Sequence, residues 1–433
     1  MKIKAFVLGV VLVLLGLTAW AADPVELVFW HMEARPNRVE RIQEVCERFN
    51  AEHPDIEVVP YVQSWGEIYQ LAPAAIQAGR GPDFMLTTPD FLTYVKALGA
   101  VQPVDKLIES LQQEYSFIQS ALTPYYFDDH YWAVPIYGMD FVFWYRKDIF
   151  EQAGLDPNRP PKTWIELLEI CEKLKASGVV EYPIAVPGAI HMATDQLIYT
   201  LMTVNKAEHI FGEDPNEVIF DNPHTVEAYS FYKQLFDYSP PGSAAWAWDE
   251  PRTALFTGQV AIVMEKGHYL KGWIDSTDLP LAYLGCAPIP VPEGGQPGTI
   301  YYSNGLMLLT EDLEKQAAFN EFLAWLFQPE IMSWLIHMDP GFFLPVTKEV
   351  LYSDAFWDEP TIKEKVAAVV IQIDYSEYGK LFGFTRETVN PNAGAIAASN
   401  ILAWVAQQIT VGGLPPEEAV KLGAQRIEEV IRE

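Results

Sequence analysis

Short, nearly uninterrupted apolar runs alternate with amphipathic helical segments along this chain, and that rhythm restricts the fold more than any other feature. Residues 25–30 are almost all apolar, as a strand covered on both faces must be. A helix is expected over 37–50, where Val39, Ile42, Val45 and Phe49 share a face and Asn37 with Glu40 makes a capping-box pattern. Pro54 stops that helix, and residues 56–62 read as the next strand. A second helix, over 65–78, leads through Gly79-Arg80-Gly81-Pro82 to a strand over 83–87. Alternation of this kind predicts an α/β fold with parallel sheet flanked by helices.

The pattern restarts after Tyr131-Trp132-Ala133-Val134-Pro135. A strand is expected over 141–145, then a helix opened by the capping box of Thr163 and Glu166 and closed by Gly178. Residues 183–186, 225–236, 259–264 and 281–286 continue the alternation. A Pro/Gly-rich passage at 288–295 follows, beyond which helices are expected over 315–327, 329–337, 396–410 and 416–431. At 433 residues the chain exceeds what one hydrophobic core usually serves, so more than one lobe is expected.

Charge and the amino terminus narrow the function classes. Lys and Arg number 29 against 58 Asp and Glu, a formal charge of −29, which repels phosphate backbones. With no basic patch, no nucleic-acid partner is expected. Residues 1–22 read as a cleaved export signal: Lys2 and Lys4, an uncharged apolar run over 5–17, then Ala19-Trp20-Ala21. That run would rise only about 20 Å as a helix, short of the roughly 30 Å of a membrane core. No Cys follows it directly, so a lipid anchor is not expected and the periplasm is the expected destination. Cys46, Cys171 and Cys286 form no Cys-x-x-Cys pair, and neither a metal nor another cofactor is expected. Buried free thiols suit Cys46 and Cys171, with one disulfide left open.

A set of short strings, in order, carries a resemblance. It begins with Leu27-Val28-Phe29-Trp30-His31, Phe49-Asn50 and Pro54-Asp55-Ile56-Glu57-Val58, then Gly81-Pro82-Asp83-Phe84 and Gly99-Ala100-Val101-Gln102-Pro103-Val104. Tyr131-Trp132-Ala133-Val134-Pro135, Trp144-Tyr145-Arg146-Lys147-Asp148-Ile149-Phe150, Ala153-Gly154-Leu155 and Pro161-Lys162-Thr163-Trp164 follow. Phe256-Thr257-Gly258-Gln259-Val260-Ala261-Ile262-Val263-Met264 with Gly267, and Phe343-Leu344-Pro345-Val346, complete it. The mature chain thereby resembles the family 1 extracellular solute-binding proteins of ATP-driven importers, the maltose-binding-protein type. Arg146 stands where that family usually has Asn, and Asp128-Asp129-His130 replaces its Asp-Gly turn.

The resemblance implies a two-lobed periplasmic-binding-protein type II fold, each lobe a mainly parallel sheet flanked by helices. By analogy the chain crosses near 134–137, 301–303 and 341–344. The N-terminal lobe would hold 23–134 and 302–341, and the C-terminal lobe 135–301 and 342–433. A monomer closing on a sugar and delivering it to membrane permease subunits is implied.

A sugar presents apolar C–H faces and a ring of hydroxyls, which call for aromatic plates and for polar side chains on loops beyond strand ends. Aromatic residues make up 13% of the chain, more rings than a core needs. The candidates after the first three strands are His31, Glu33 and Arg35, then Gln63 and Trp65, then Thr88 and Asp90. Asp90 could equally cap a helix. Met139 and Asp140 follow the first crossover, and Asp140, between apolar neighbours, needs a ligand hydroxyl or a backbone amide. From the second lobe come His191, Asp195, Trp246, Trp248, Asp249, Glu265 and Lys266, with stacking expected from at least one of the two Trp. Tyr302 and Asn304 sit at the second crossover, Gly341 and Phe342 at the third, and Arg386, with Tyr375, in the helical tail. A secreted glycoside hydrolase or lyase is a competing reading, although no HExxH, GxSxG, Walker A or GxGxxG string occurs. A non-sugar solute such as a polyamine, glycerol phosphate or a peptide is another; for a phosphate only Arg35, Arg38, Lys266 and Arg386 offer charge.

Overall fold

The alternating start of the chain builds one sheet. In the computed structural model, which describes residues 23–384 and 389–432, β1 (Val25–His31) pairs in parallel with β2 (Ile56–Val62) and β3 (Phe84–Thr87). The export signal expected at 1–22 lies outside the described residues. A ribbon of β4 (Tyr126–Phe127) and β5 (His130–Tyr131) precedes β6 (Val134–Asp140). The chain then lays down β7 (Val142–Arg146), β8 (Ile184–Ala185), β9 (Ile262–Glu265) and β10 (Leu284–Ala287). It returns as β11 (Thr299–Leu308), and β12 (Gly379–Lys380) is the last strand. The first sheet has the order β12-β11-β3-β1-β2 with β6 also paired to β11; the second has the order β10-β7-β9-β8.

Only β8 and β9 run parallel in the second sheet, so it is mixed, not mainly parallel. The cause is chain direction: β7 follows β6 with Phe141 alone between them, and it meets β9 and β10 head to tail. The antiparallel pair of β6 and β11, buried along its whole length, links the two sheets. One apolar core runs continuously through both, from Leu27 and Phe84 to Trp144 and Val263.

The helices show which local signals hold. Thr163 Oγ1 accepts from the Glu166 amide at 3.1 Å, the Glu166 carboxylate reaches back to the Lys162 amide at 2.7 Å, and Gly178 ends the helix at φ +70°. The expected box at Asn37 and Glu40 does not form. The helix starts at Pro36, whose fixed φ suits a first turn, and Asn37 instead donates to the Met338 carbonyl. The expected helix over 396–410 breaks into Ala393–Ser399 and Ile401–Thr410, because Asn400 adopts a left-handed φ of +47°. Residues 347–357, placed at sequence level in the C-terminal lobe, stay with the first sheet's helices: Phe117 bridges Thr347, and Asp354–Trp357 packs on Pro329–Ile336. All three cysteines are free thiols, Cys46 and Cys171 buried and Cys286 half-buried. Among the described residues no helix is long and apolar enough to cross a membrane.

Candidate functional site

Loops from both sheets converge on one cavity of about 610 Å³. The turn after β1 brings Glu33, Arg35 and Arg38; the turn after β2 brings Trp65 and Tyr69; Thr88 and Asp90 follow β3. The facing wall has His191, Asp195, Gln196 and Tyr199 from the start of helix Met192–Val204, and Trp248, Asp249 and Arg252 from the start of helix Asp249–Phe256. Glu265, Lys266 and His268 follow β9, and Met139, Tyr302, Asn304 and Phe342 enter from the linking strands and the third crossover.

Most of the charge is spent internally. Arg38 bridges Glu33 Oε2 at 2.6 Å and Asp339 Oδ2 at 2.5 Å, and Asp339 also takes His268 Nδ1 at 2.5 Å. Burial would raise the Asp339 carboxyl, but Arg38 and His268 hold it below its ordinary value. Asp249 sits between Arg35 at 2.5 Å and Arg252 at 2.8 Å, and Arg252 reaches Glu265 at 3.2 Å. Among the described lining residues, only the cation of Lys266 has no ion pair. Its ammonium lies 5.5 Å from the Trp248 ring and 5.1 Å from the Tyr302 ring, and burial lowers its pKa to about 8. Burial raises the Asp195 carboxyl to about 8, against the lowering effect of the Ala403 amide, which it accepts at 2.6 Å.

Several lining polar atoms have no partner: Asp90 Oδ1, Gln196 Oε1, Asn304 Oδ1, Trp248 Nε1 and Arg252 Nε. Buried polar groups are rarely left so, and three of these five are oxygens that can accept from a hydroxyl. Asp90 is in the first turn of helix Pro89–Lys96 without capping it; its other oxygen accepts from Tyr69 at 2.6 Å.

Of the sequence candidates, Glu33, Arg35, Trp65, Thr88, Asp90, Met139, His191, Asp195, Trp248, Asp249, Glu265, Lys266, Tyr302, Asn304 and Phe342 line the cavity. Others are elsewhere. His31 follows Leu27 and Phe29 on the buried face of β1, so its ring enters the core, 5.5 Å from Phe29, and burial lowers its pKa to about 4. Gln63 extends the β1–β2 ladder through its amide to the His31 carbonyl. Asp140 is fully buried in β6, and neither oxygen has a partner beyond its own backbone amide. Trp246 packs on the core over Gly242, while Trp248, two positions on, faces the cavity. Gly341, at φ +73°, makes the turn that presents Phe342, and a Cβ there would lie 2.6 Å from Leu270. Tyr375 is bound to the Gly298 carbonyl, and Arg386 lies outside the described residues. Arg146 is structural, gripping Asp148 and the Leu255 carbonyl. Sequence reading passed over Tyr69, Gln196, Tyr199, Arg252, His268 and Asp339. Tyr69 is the second residue of its helix and Tyr199 lies about two turns into its own, and Asp339 finds its partners only through the fold.

The family model described as "Bacterial extracellular solute-binding protein" matches residues 35–333. The sn-glycerol-3-phosphate-binding periplasmic protein of Shigella dysenteriae is 28% identical over 345 residues, 74% of each chain. Maltose-bound MalE3 of T. maritima superposes with a TM-score of 0.77 at 17% identity, covering 94% of this chain and all of the other. A solute-binding protein of Agrobacterium radiobacter K84 in complex with ribitol gives 0.77 at 20% identity, covering 94% of this chain and 99% of the other. At these identities the structural likeness is one of fold.

Proposed function

Because this chain belongs to the bacterial extracellular solute-binding proteins, we propose that it captures an uncharged, hydroxyl-rich sugar between its two sheets and passes it, unaltered, to the permease of an ATP-driven importer. One observation carries this reading. The guanidinium groups of the described lining are already neutralised by carboxylates, while Asp90, Gln196 and Asn304, each with a buried oxygen that has no partner, belong to the lining of a cavity walled by Trp65, Trp248 and Tyr302. Such a site wants hydroxyl donors and flat apolar faces, not a second charge.

Sugar and polyol ligands in the structural neighbours support it. The glycerol phosphate of the curated relative is the second reading. A phosphate dianion would need converging free cations, and among the described lining residues Lys266 alone is unpaired. The lobes would be 23–134 with 302–359 and 135–301 with 360–433, closing about the three crossovers. Ion pairs between the walls, Arg35 to Asp249 and Asp339 to His268, would hold the closed form that docks on the permease. Export through a cleaved leader to the periplasm belongs to the same proposal.

A thermal-shift screen tests it. At a hundred times Kd a ligand adds about 2.7 kcal/mol of stability. Neutral sugars should raise the melting temperature and be recovered unchanged by chromatography. Stabilisation by sn-glycerol 3-phosphate with none by any sugar, or the appearance of product, overturns it.

A further inference from the structure

One wall of the cavity differs in kind from the rest. Tyr199, Phe382, Ile396, Ala397, Ile401 and Leu402 form it, from helix Met192–Val204, the turn after β12 and the two helices on either side of Asn400. The Tyr199 and Phe382 rings meet edge to face, 5.8 Å apart. Three polar groups of this wall are engaged behind it, and the unpartnered Asn400 Oδ1 belongs to a residue outside the cavity lining. The Tyr199 hydroxyl donates to the Glu208 carbonyl at 3.0 Å, the Leu402 carbonyl accepts from Tyr229 at 3.0 Å, and the Ala403 amide is held by Asp195.

The wall is fixed beside a hydroxyl acceptor. Helix Ala393–Ser399 presses so closely on helix Pro89–Lys96 that a Cβ at Gly394 would lie 2.8 Å from the Asp90 carbonyl. A ring seated against Asp90, which lines the cavity, therefore has this apolar surface next to it. A second sugar ring placed there would bury hydroxyls with nothing to pair them, and each such loss is costly. A hydrocarbon group would only leave water.

We propose that the ligand is a glycoside whose sugar ring takes the polar side of the cavity and whose apolar aglycone, aromatic or branched aliphatic, fills the wall around Ala397. This rests on the sugar reading and narrows it.

Titration calorimetry with matched methyl and p-nitrophenyl glycosides of glucose, galactose and mannose, in both anomers, tests it, with the disaccharides of the same sugars alongside. For the ring that binds, the p-nitrophenyl glycoside should bind about tenfold more tightly than the methyl glycoside. Ala397 is half-buried in the wall, and Ala397→Phe should cancel that gain while leaving the methyl glycoside's affinity within about twofold. Ala397→Asn, which sets an amide in the same place, should also cancel it and serves if the larger side chain disturbs folding. Equal affinity of the two glycosides, a gain that survives both variants, or a disaccharide binding more tightly than the p-nitrophenyl glycoside overturns the aglycone site and leaves sugar capture standing. Binding of none of these compounds removes both.

Discussion

Replacing Arg38 by Met tests the electrostatic frame of the cavity. Arg38 is 8% exposed and its guanidinium holds two carboxylates, Glu33 at 2.6 Å and Asp339 at 2.5 Å, while its Cζ lies 4.6 Å from the centre of the Phe342 ring and 4.9 Å from that of Phe343. Met keeps much of the stem's packing and removes the charge. Two buried carboxylates then lose their guanidinium, Asp339 keeping only His268 and Glu33 only the Tyr137 hydroxyl, and a broken buried pair costs about 3–5 kcal/mol. Arg48→Met is the control: its partner Glu52 is one turn away, both side chains are about half exposed, and such pairs contribute roughly 0.3–0.5 kcal/mol. Urea denaturation at pH 7 should therefore separate the two variants by several kcal/mol.

The pH dependence supplies a sign. In the native protein Asp339 is depressed below its ordinary 3.8, so its contribution is present above that value and is lost only as pH falls through the lower folded pKa. Without Arg38 the largest of the groups that offset burial is gone, and the folded pKa rises. The variant then takes up a proton between pH 7 and 4 that the wild type does not. Its deficit should shrink by about 1.4 kcal/mol for each unit of that rise. An Arg38→Met protein as stable as Arg48→Met at pH 7, or a deficit constant from pH 7 to 4, refutes the reasoning.

Trp248→Ala should weaken sugar binding about fivefold or more in calorimetry, whereas Trp246→Ala should lower the melting temperature and leave affinity within about twofold, since only Trp248 lines the cavity. Asp140 is raised well above 3.8 by burial, so it costs stability as pH rises above 3.8 and the unfolded chain ionises. Asp140→Asn should therefore be more stable than wild type at pH 7 and close to it at pH 3.5 by urea titration. Lys266, lowered to about 8, penalises the folded state at pH 7, and that penalty fades as pH rises through 8 toward 10.5. Lys266→Met should be the more stable protein at pH 7, with the difference diminishing by pH 10.

What could be read from the sequence divides by the range of the forces involved. The Thr163–Glu166 cap was legible because both partners lie within one turn, and the strands of the first sheet because their apolar runs need no knowledge of the partner strand. Two misplacements had a local signal that went unused. Residues alternate across a strand, so Leu27 and Phe29 in the core already put His31 there. The two Trp at 246 and 248 share one loop and an alternate spacing, yet one carries its indole over Gly242 while the other lines the cavity. No local signal existed for the ion network. Asp339 meets His268 across 71 residues of sequence and Arg38 across 301, so neither pairing leaves a trace in spacing or composition. The order of inference at such a site therefore runs from the fold inward. With Arg35, Arg38 and Arg252 neutralised, the unpartnered oxygens of Asp90, Gln196 and Asn304 are what the proposed ligand's hydroxyls would pair. A chain with the same loops but unpaired guanidiniums would present the opposite demand, for an anion.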